Sequence, residues 1–272
     1  MEKLIKPARI AYAIGLIGMV LPQLFYRQFG ANFFPAWPGL PLTAIWTWLF
    51  TLLVIAACTA IIFEKNGRTA SLILGGLLLA VYCLGYIPYE LIIEPHGSNL
   101  GSWADGLEEL ALAGGAFVVA GTFPKQLNRQ TVLIKLLEKL IVFGPALFSL
   151  TMILFGICHF LYTQYISPMV PAWFPGSAMF WTRFAGVALI GAGVTITVGI
   201  KQKLAATLLG IMIFIWLIII HIPSLFPGLF GSHCALLVSA FSALAFAGIA
   251  FLIAVGFENY SVLTRFDGRT KL

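Results

Sequence analysis

The run LTAIWTWLFTLLVIAACTAIIF, residues 42–63, contains no charged side chain, and neither acid nor lysine nor arginine interrupts LAATLLGIMIFIWLIIIH, residues 204–221. Runs of about 18–20 apolar residues are what a helix needs to cross the hydrocarbon core of a bilayer. Eight such segments fall at about 8–28, 42–63, 70–92, 104–123, 140–163, 178–199, 204–222 and 234–256. In lipid only helices and closed barrels satisfy their own backbone groups, and barrel strands alternate apolar with polar residues. These segments are apolar on every face, so the expected fold is all-α: a polytopic membrane protein with eight transmembrane helices. The composition agrees, with 60% hydrophobic and 10% charged residues, against about 25% charged in a soluble domain.

The sixteen basic residues set an orientation. Lys3, Lys6, Arg9, Lys65, Arg68, Lys125, Arg129, Lys135, Lys139, Lys201, Lys203, Arg265, Arg269 and Lys271 fall at the termini or in the even-numbered loops, and only Arg27 and Arg183 lie toward the other side. By the positive-inside rule both termini are expected in the cytoplasm. The net charge of +6 then makes a basic surface beside anionic lipid, and the expected partner is the bilayer rather than nucleic acid.

Pro-Ala-Trp occurs twice, at Pro35–Trp37 and Pro171–Trp173, 136 residues apart. The same shift aligns Gln23 with His159, Tyr26 with Tyr162 and Lys65 with Lys201, and a shift of 130 pairs Gly101-Ser102 with Gly231-Ser232. The chain reads as two parallel four-helix repeats, 1–123 and 140–257, joined by a basic linker, 124–139, and followed by a tail, 258–272. Four spans per repeat bring both copies in from the same side, unlike inverted transporter repeats. Each Pro-Ala-Trp segment then lies in the first outer loop of its repeat. Proline there ends a helix and tryptophan anchors at the membrane interface, either as a rigid turn or as a lid over a cavity.

Residues 155–196, FGICHFLYTQYISPMVPAWFPGSAMFWTRFAGVALIGAGVTI, resemble the DoxX-like membrane family. Gly156, His159, Phe160, Val170, Pro171, Trp173, Phe180, Trp181, Gly186, Val187 and Ala188 carry the resemblance, and Leu189 stands where many relatives have a glutamate. It implies a four-helix bundle in a bacterial inner membrane and a redox-associated, quinone-linked component. The first repeat is a degenerate copy, with Gln23 in place of the histidine.

Ionisable residues inside spans are functional candidates by default. His159, Arg183, His221 and His233 gather at the outer ends of the second repeat, and Glu90, Glu94, Asp105, Glu108 and Glu109 at the outer ends of the first. Arg183 needs a counter-charge, for which Glu108 or Glu109 is the expected partner, or it binds an anionic or quinone-type head group. His159 and Tyr162, three residues apart, share a helix face. With Trp173 over them, these residues make the expected ligand site. No residue is assigned a catalytic role and no metal site is expected. Cys58 and Cys83 read as packing residues, whereas Cys158 and Cys234, each beside a histidine, allow a disulfide or metal reading. Neighbours on a helix diverge by about 100°, which disfavours joint chelation.

No phosphate loop, dinucleotide fingerprint, zinc-protease motif or nucleophile elbow occurs. Three readings stand: a quinone-linked redox component, a carrier or binding protein for a small amphipathic or anionic ligand, and a scaffold.

Overall fold

The computed structural model describes residues 2–125, 131–225 and 233–256, the side chains of residues 2, 233 and 234 excepted. Every regular element among the described residues is helical. The long helices are α1 (Ile5–Tyr26), α2 (Thr43–Ile62), α3 (Gly67–Ile92) and α4 (Ala104–Gly121). A short amphipathic α5 (Val132–Glu138) follows, then α6 (Gly144–Leu161), α7 (Ala178–Val198), α8 (Gln202–Ser224) and α9 (His233–Gly256). Seven helical stretches are long and apolar enough to cross a membrane, one of them running from α5 through α6. The eighth expected span is α4, which has span length but carries Asp105, Glu108 and Glu109 in its first two turns. From Gly106 to Ala120 only Glu108 is more than slightly exposed, so other helices rather than solvent surround it.

Local chemistry sets the helix ends. Ser177 caps α7 by accepting from the Phe180 amide at 3.1 Å, and Gly199 closes it in the left-handed region at φ 79°. Proline in the first turn opens α6, where its missing N–H costs nothing. Both α3 and α8 widen into a π turn, Tyr82–Tyr86 and Leu217–His221, immediately before Ile87-Pro88 and Ile222-Pro223. Proline cannot donate to the preceding turn and its ring crowds that turn's carbonyl, and a widened turn accommodates both.

The helices pack in two chains of neighbours, α1–α2–α3–α4 and α6–α7–α8–α9, which meet through α1 with α9 and α4 with α6. Both meetings are close backbone approaches. A Cβ on Gly114 would stand 2.8 Å from the Gly144 carbonyl oxygen, and one on Gly248 would stand 2.8 Å from the Ala8 carbonyl oxygen. Small residues at such crossings are how helices approach in lipid, where tails are as apolar as leucine and packing must drive association. The core lies along α1, α4, α6 and α9, around the fully buried Tyr12, Leu16, Leu112, Phe117, Phe148 and Ile249. Leu52, Leu53, Leu84 and Leu91 point outward, as they should beside lipid.

Burial recurs at fixed offsets. The buried positions of α2, at 47, 50, 51, 54, 58 and 61, reappear 135 residues on in α7 at 182, 185, 186, 189, 193 and 196. Contacts register the fourth helices 134 apart rather than 130: Thr151 meets Leu107 as Gly15 meets Phe241. Residues Gly231 and Ser232, the basis of the shorter shift, lie outside the described residues, as do the middle of the linker and the tail.

One end of the bundle is held by basic side chains. Arg68 donates four hydrogen bonds, two to the Glu138 carboxylate at 2.6 Å each and two to the Ala120 and Phe123 carbonyls at 2.9 and 2.7 Å. Arg9 bonds Thr122, lies over the Phe123 ring at 3.6 Å and faces Glu64 at 3.6 Å. This clamp ties α1, α3 and α4 to α5.

Candidate functional site

The opposite end carries the candidate sites, one in each half. In the second half, α6, α7 and α8 enclose a cavity of about 280 Å³ lined by His159, Thr182, Trp181, Trp216 and His221, with Met169 and Val170 of the Pro-Ala-Trp loop at its mouth. Trp181 and Trp216, 5.9 Å apart and edge to face, form one wall. The same two rings line an adjoining groove of about 730 Å³ between α7 and α8, bordered by Phe184, Ala188, Leu208 and Met212 and reaching Lys201 at the basic end. A pocket holding two histidines and an apolar groove thus share a wall.

Hydrogen bonding fixes how His159 meets that pocket. Its Nδ1 lies 2.7 Å from the Phe155 carbonyl oxygen, which can only accept, so Nδ1 carries the proton. In the neutral ring Nε2 is then left as an acceptor. The Trp216 indole N–H is buried with no partner among the described residues, leaving a donor on the shared wall. Phe174 packs on both wall tryptophans, at 5.0 and 5.6 Å, and the Trp181 indole donates to the Pro175 carbonyl at 2.5 Å.

Residues 148–229 match the model of a domain of unknown function, DUF8561. No curated protein and no solved structure matches the chain. The matched stretch runs from α6 through the end of α8 and contains every residue that lines the cavity.

Several expected site residues lie elsewhere. Tyr162 does not share a face with His159, because α6 ends at Leu161 and Tyr162 leaves helical geometry at φ −115°, ψ 30°. Its hydroxyl accepts instead from the Gly101 amide at 3.0 Å, tying the two halves together. Arg183 is exposed on the outer face of α7 and forms no ion pair with Glu108 or Glu109 among the described residues. One residue of helix turns a side chain by about 100°, so Thr182 faces the cavity while Arg183 does not. Trp173 is 66% exposed and meets Phe174 edge to face, so the loop aromatic that packs on the wall tryptophans is Phe174. Cys158 is a buried free thiol, and Cys83 is exposed at the π turn rather than packed. The side chains of His233 and Cys234 lie outside the described residues.

Trp216 and Phe174 escaped the sequence reading because an aromatic in an apolar run has no periodicity to mark it. The signal that could have found Trp216 is its place one turn before His221-Ile222-Pro223.

In the first half the same level holds carboxylates. Glu108 accepts from the Asn32 amide and the Ser242 hydroxyl, Asp105 accepts from Asn32 at 3.2 Å, and Ser102 donates to Glu90 at 2.8 Å. Glu109 is fully buried, and both of its oxygens are without a partner among the described residues. The buried Tyr86 hydroxyl and Gln23 amide nitrogen are likewise unpartnered, although Thr51 donates to the Gln23 oxygen at 3.4 Å. Trp37, unlike Trp173, turns inward, donating to the Gly85 carbonyl at 3.2 Å and meeting Tyr89 edge to face. No group of three or more metal-ligating side chains occurs among the described residues.

Proposed function

We propose that the protein is an eight-span integral membrane protein whose second half binds a small lipid-soluble amphipathic molecule. The observation that carries this reading is the shared wall: Trp181 and Trp216 border both the histidine pocket and the apolar groove. A polar head seats in the pocket, accepting from the Trp216 indole beside the His159 and His221 rings, while an apolar tail lies in the groove. Ligand sites commonly take this form, mostly apolar with a few convergent polar groups.

The eight spans include α4, whose Glu109 is shielded by neighbouring helices and faces the interior, as intramembrane acids do. The recurring burial offsets and the matched meetings of α1 with α9 and of α6 with α4 support two parallel repeats about an axis along the membrane normal. The basic clamp at one end supports cytoplasmic termini and a ligand site at the outer side. Quinones have the required form, a polar ring on an isoprenoid tail, and the DoxX-like resemblance over residues 155–196 favours them within the class.

Two site tryptophans allow a direct test, because a quinone ring within contact distance quenches indole emission. Titrating the purified protein with decylubiquinone should give saturable quenching, with affinity at least tenfold weaker in His159→Ala/His221→Ala and weaker in Trp216→Phe. Quenching that never saturates, or that neither substitution alters, would overturn the reading.

A further inference from the structure

We infer that Glu109, in the first half, is a proton-binding site that exchanges with the outer aqueous phase through the carboxylates at the end of α4. The inference does not depend on what the second half binds.

The geometry is a buried acid with nothing to hold its charge. Along one face of α4, Gly106 packs under the Tyr86 ring and Ala116 packs against Gly75 of α3. Glu109 lies three residues from the first and seven from the second, so it points at α3 within a sealed interface. Neither carboxylate oxygen has a donor or cation among the described residues, and the residue has no exposed surface. An isolated ionised carboxylate is among the most expensive groups to bury, and a proton is the smallest ligand that removes its charge. A metal cation is a poorer candidate, because no group of three or more metal-ligating side chains occurs among the described residues.

A static neutral acid would satisfy that argument alone, and a second observation points to exchange. Asp105 lies one turn toward the helix end on the same face, partly exposed, and shares the Asn32 amide with Glu108. The Tyr86 ring packs against Gly106, one turn from Glu109, and its buried hydroxyl has no partner among the described residues. It therefore lies in the same α3–α4 interface as Glu109, a second polar group without a fixed partner. Among the described residues the other elements packed on α4 bring no competing charge to this level: α1 contributes the Tyr12 hydroxyl, which donates to the Leu112 carbonyl at 2.8 Å, and Arg9 is engaged at the far end. From α6 come Ser149 and Thr151, and from α9 Ser242.

Infrared difference spectroscopy of the lipid-reconstituted protein across an acid-to-alkaline titration tests this. The expected result is a protonated-carboxyl carbonyl band that fades reversibly as pH rises, shifts in deuterium oxide, and is missing from the near-isosteric Glu109→Gln. Asp105→Asn should slow the deuterium shift without abolishing the band. A band unaffected by Glu109→Gln would overturn the assignment to Glu109. A band that persists at every pH and never exchanges would overturn the proton exchange. Should Glu109→Gln fail to fold, Glu109→Asp must still move the band's midpoint; an unmoved midpoint overturns the assignment equally.

Discussion

The two halves place polar groups at the same two positions and fill them differently. Gln23 on α1 and Tyr86 at the end of the α3 π turn correspond to His159 on α6 and His221 at the end of the α8 π turn. Glu109 and Ser242 sharpen the contrast: offset by 134, the counterpart of Glu109 is Ala243, and that of Glu108 is Ser242, which bonds Glu108 itself. One half therefore has a buried acid in a closed interior, and the other has two imidazoles in a pocket that adjoins a lipid-facing groove. A common frame can host unlike chemistry because the helices set positions, whereas the side chains at those positions set what is bound.

The largest expected effect concerns the clamp of the first half. Arg68→Ala leaves the Glu138 carboxylate, 13% exposed, without its partner, and losing one member of such a pair costs about 3–5 kcal/mol. Thermal unfolding in detergent should show it, whereas a loss below 1 kcal/mol would mean that α5 does not hold the bundle. Next come the two meetings of the halves. Gly114→Ala and Gly248→Ala each push a methyl against backbone at 2.8 Å, at a cost of about 1–3 kcal/mol. Similar losses support equivalent interfaces; a much smaller loss at one would break the comparison.

Exchanging the site residues should be smaller for stability but decisive for binding. His159→Gln with His221→Tyr gives the second half the polar groups of the first, and decylubiquinone affinity should fall about tenfold, or 1.4 kcal/mol. Retained affinity would show that the imidazoles do not distinguish the halves. The smallest effect belongs to the repeated tryptophan. Trp173→Ala, at an exposed position, should change stability by about 0.5 kcal/mol or less. Trp37→Ala loses a hydrogen bond and the Tyr89 contact, and should cost about 1–2 kcal/mol. Equal effects would mean that both motifs are plain interface anchors.

Apolar run length and the absence of alternation were enough to read an all-helical membrane protein, and spacing was enough to place His159 and His221 at one level. Both are properties of a single helix or of hydropathy, which the sequence states directly. The site was only partly legible. Tyr162 looked like a partner of His159 on a continuous helix, but α6 ends one residue earlier. The Arg183 pairing failed on a rotation of one residue, which depends on which face of α7 meets α6.

The sequence by itself determined that this chain must be a bundle of helices in lipid, with charge and polarity confined to its ends, because no other backbone arrangement satisfies its hydrogen bonds there. The tertiary structure alone decided that α1 meets α9 and α4 meets α6, leaving Glu109 sealed and unpaired while Trp181 and Trp216 join a pocket to a groove. Those outcomes depend on where neighbouring helices bring their faces, and in a chain apolar on nearly every face, periodicity cannot say which face that is.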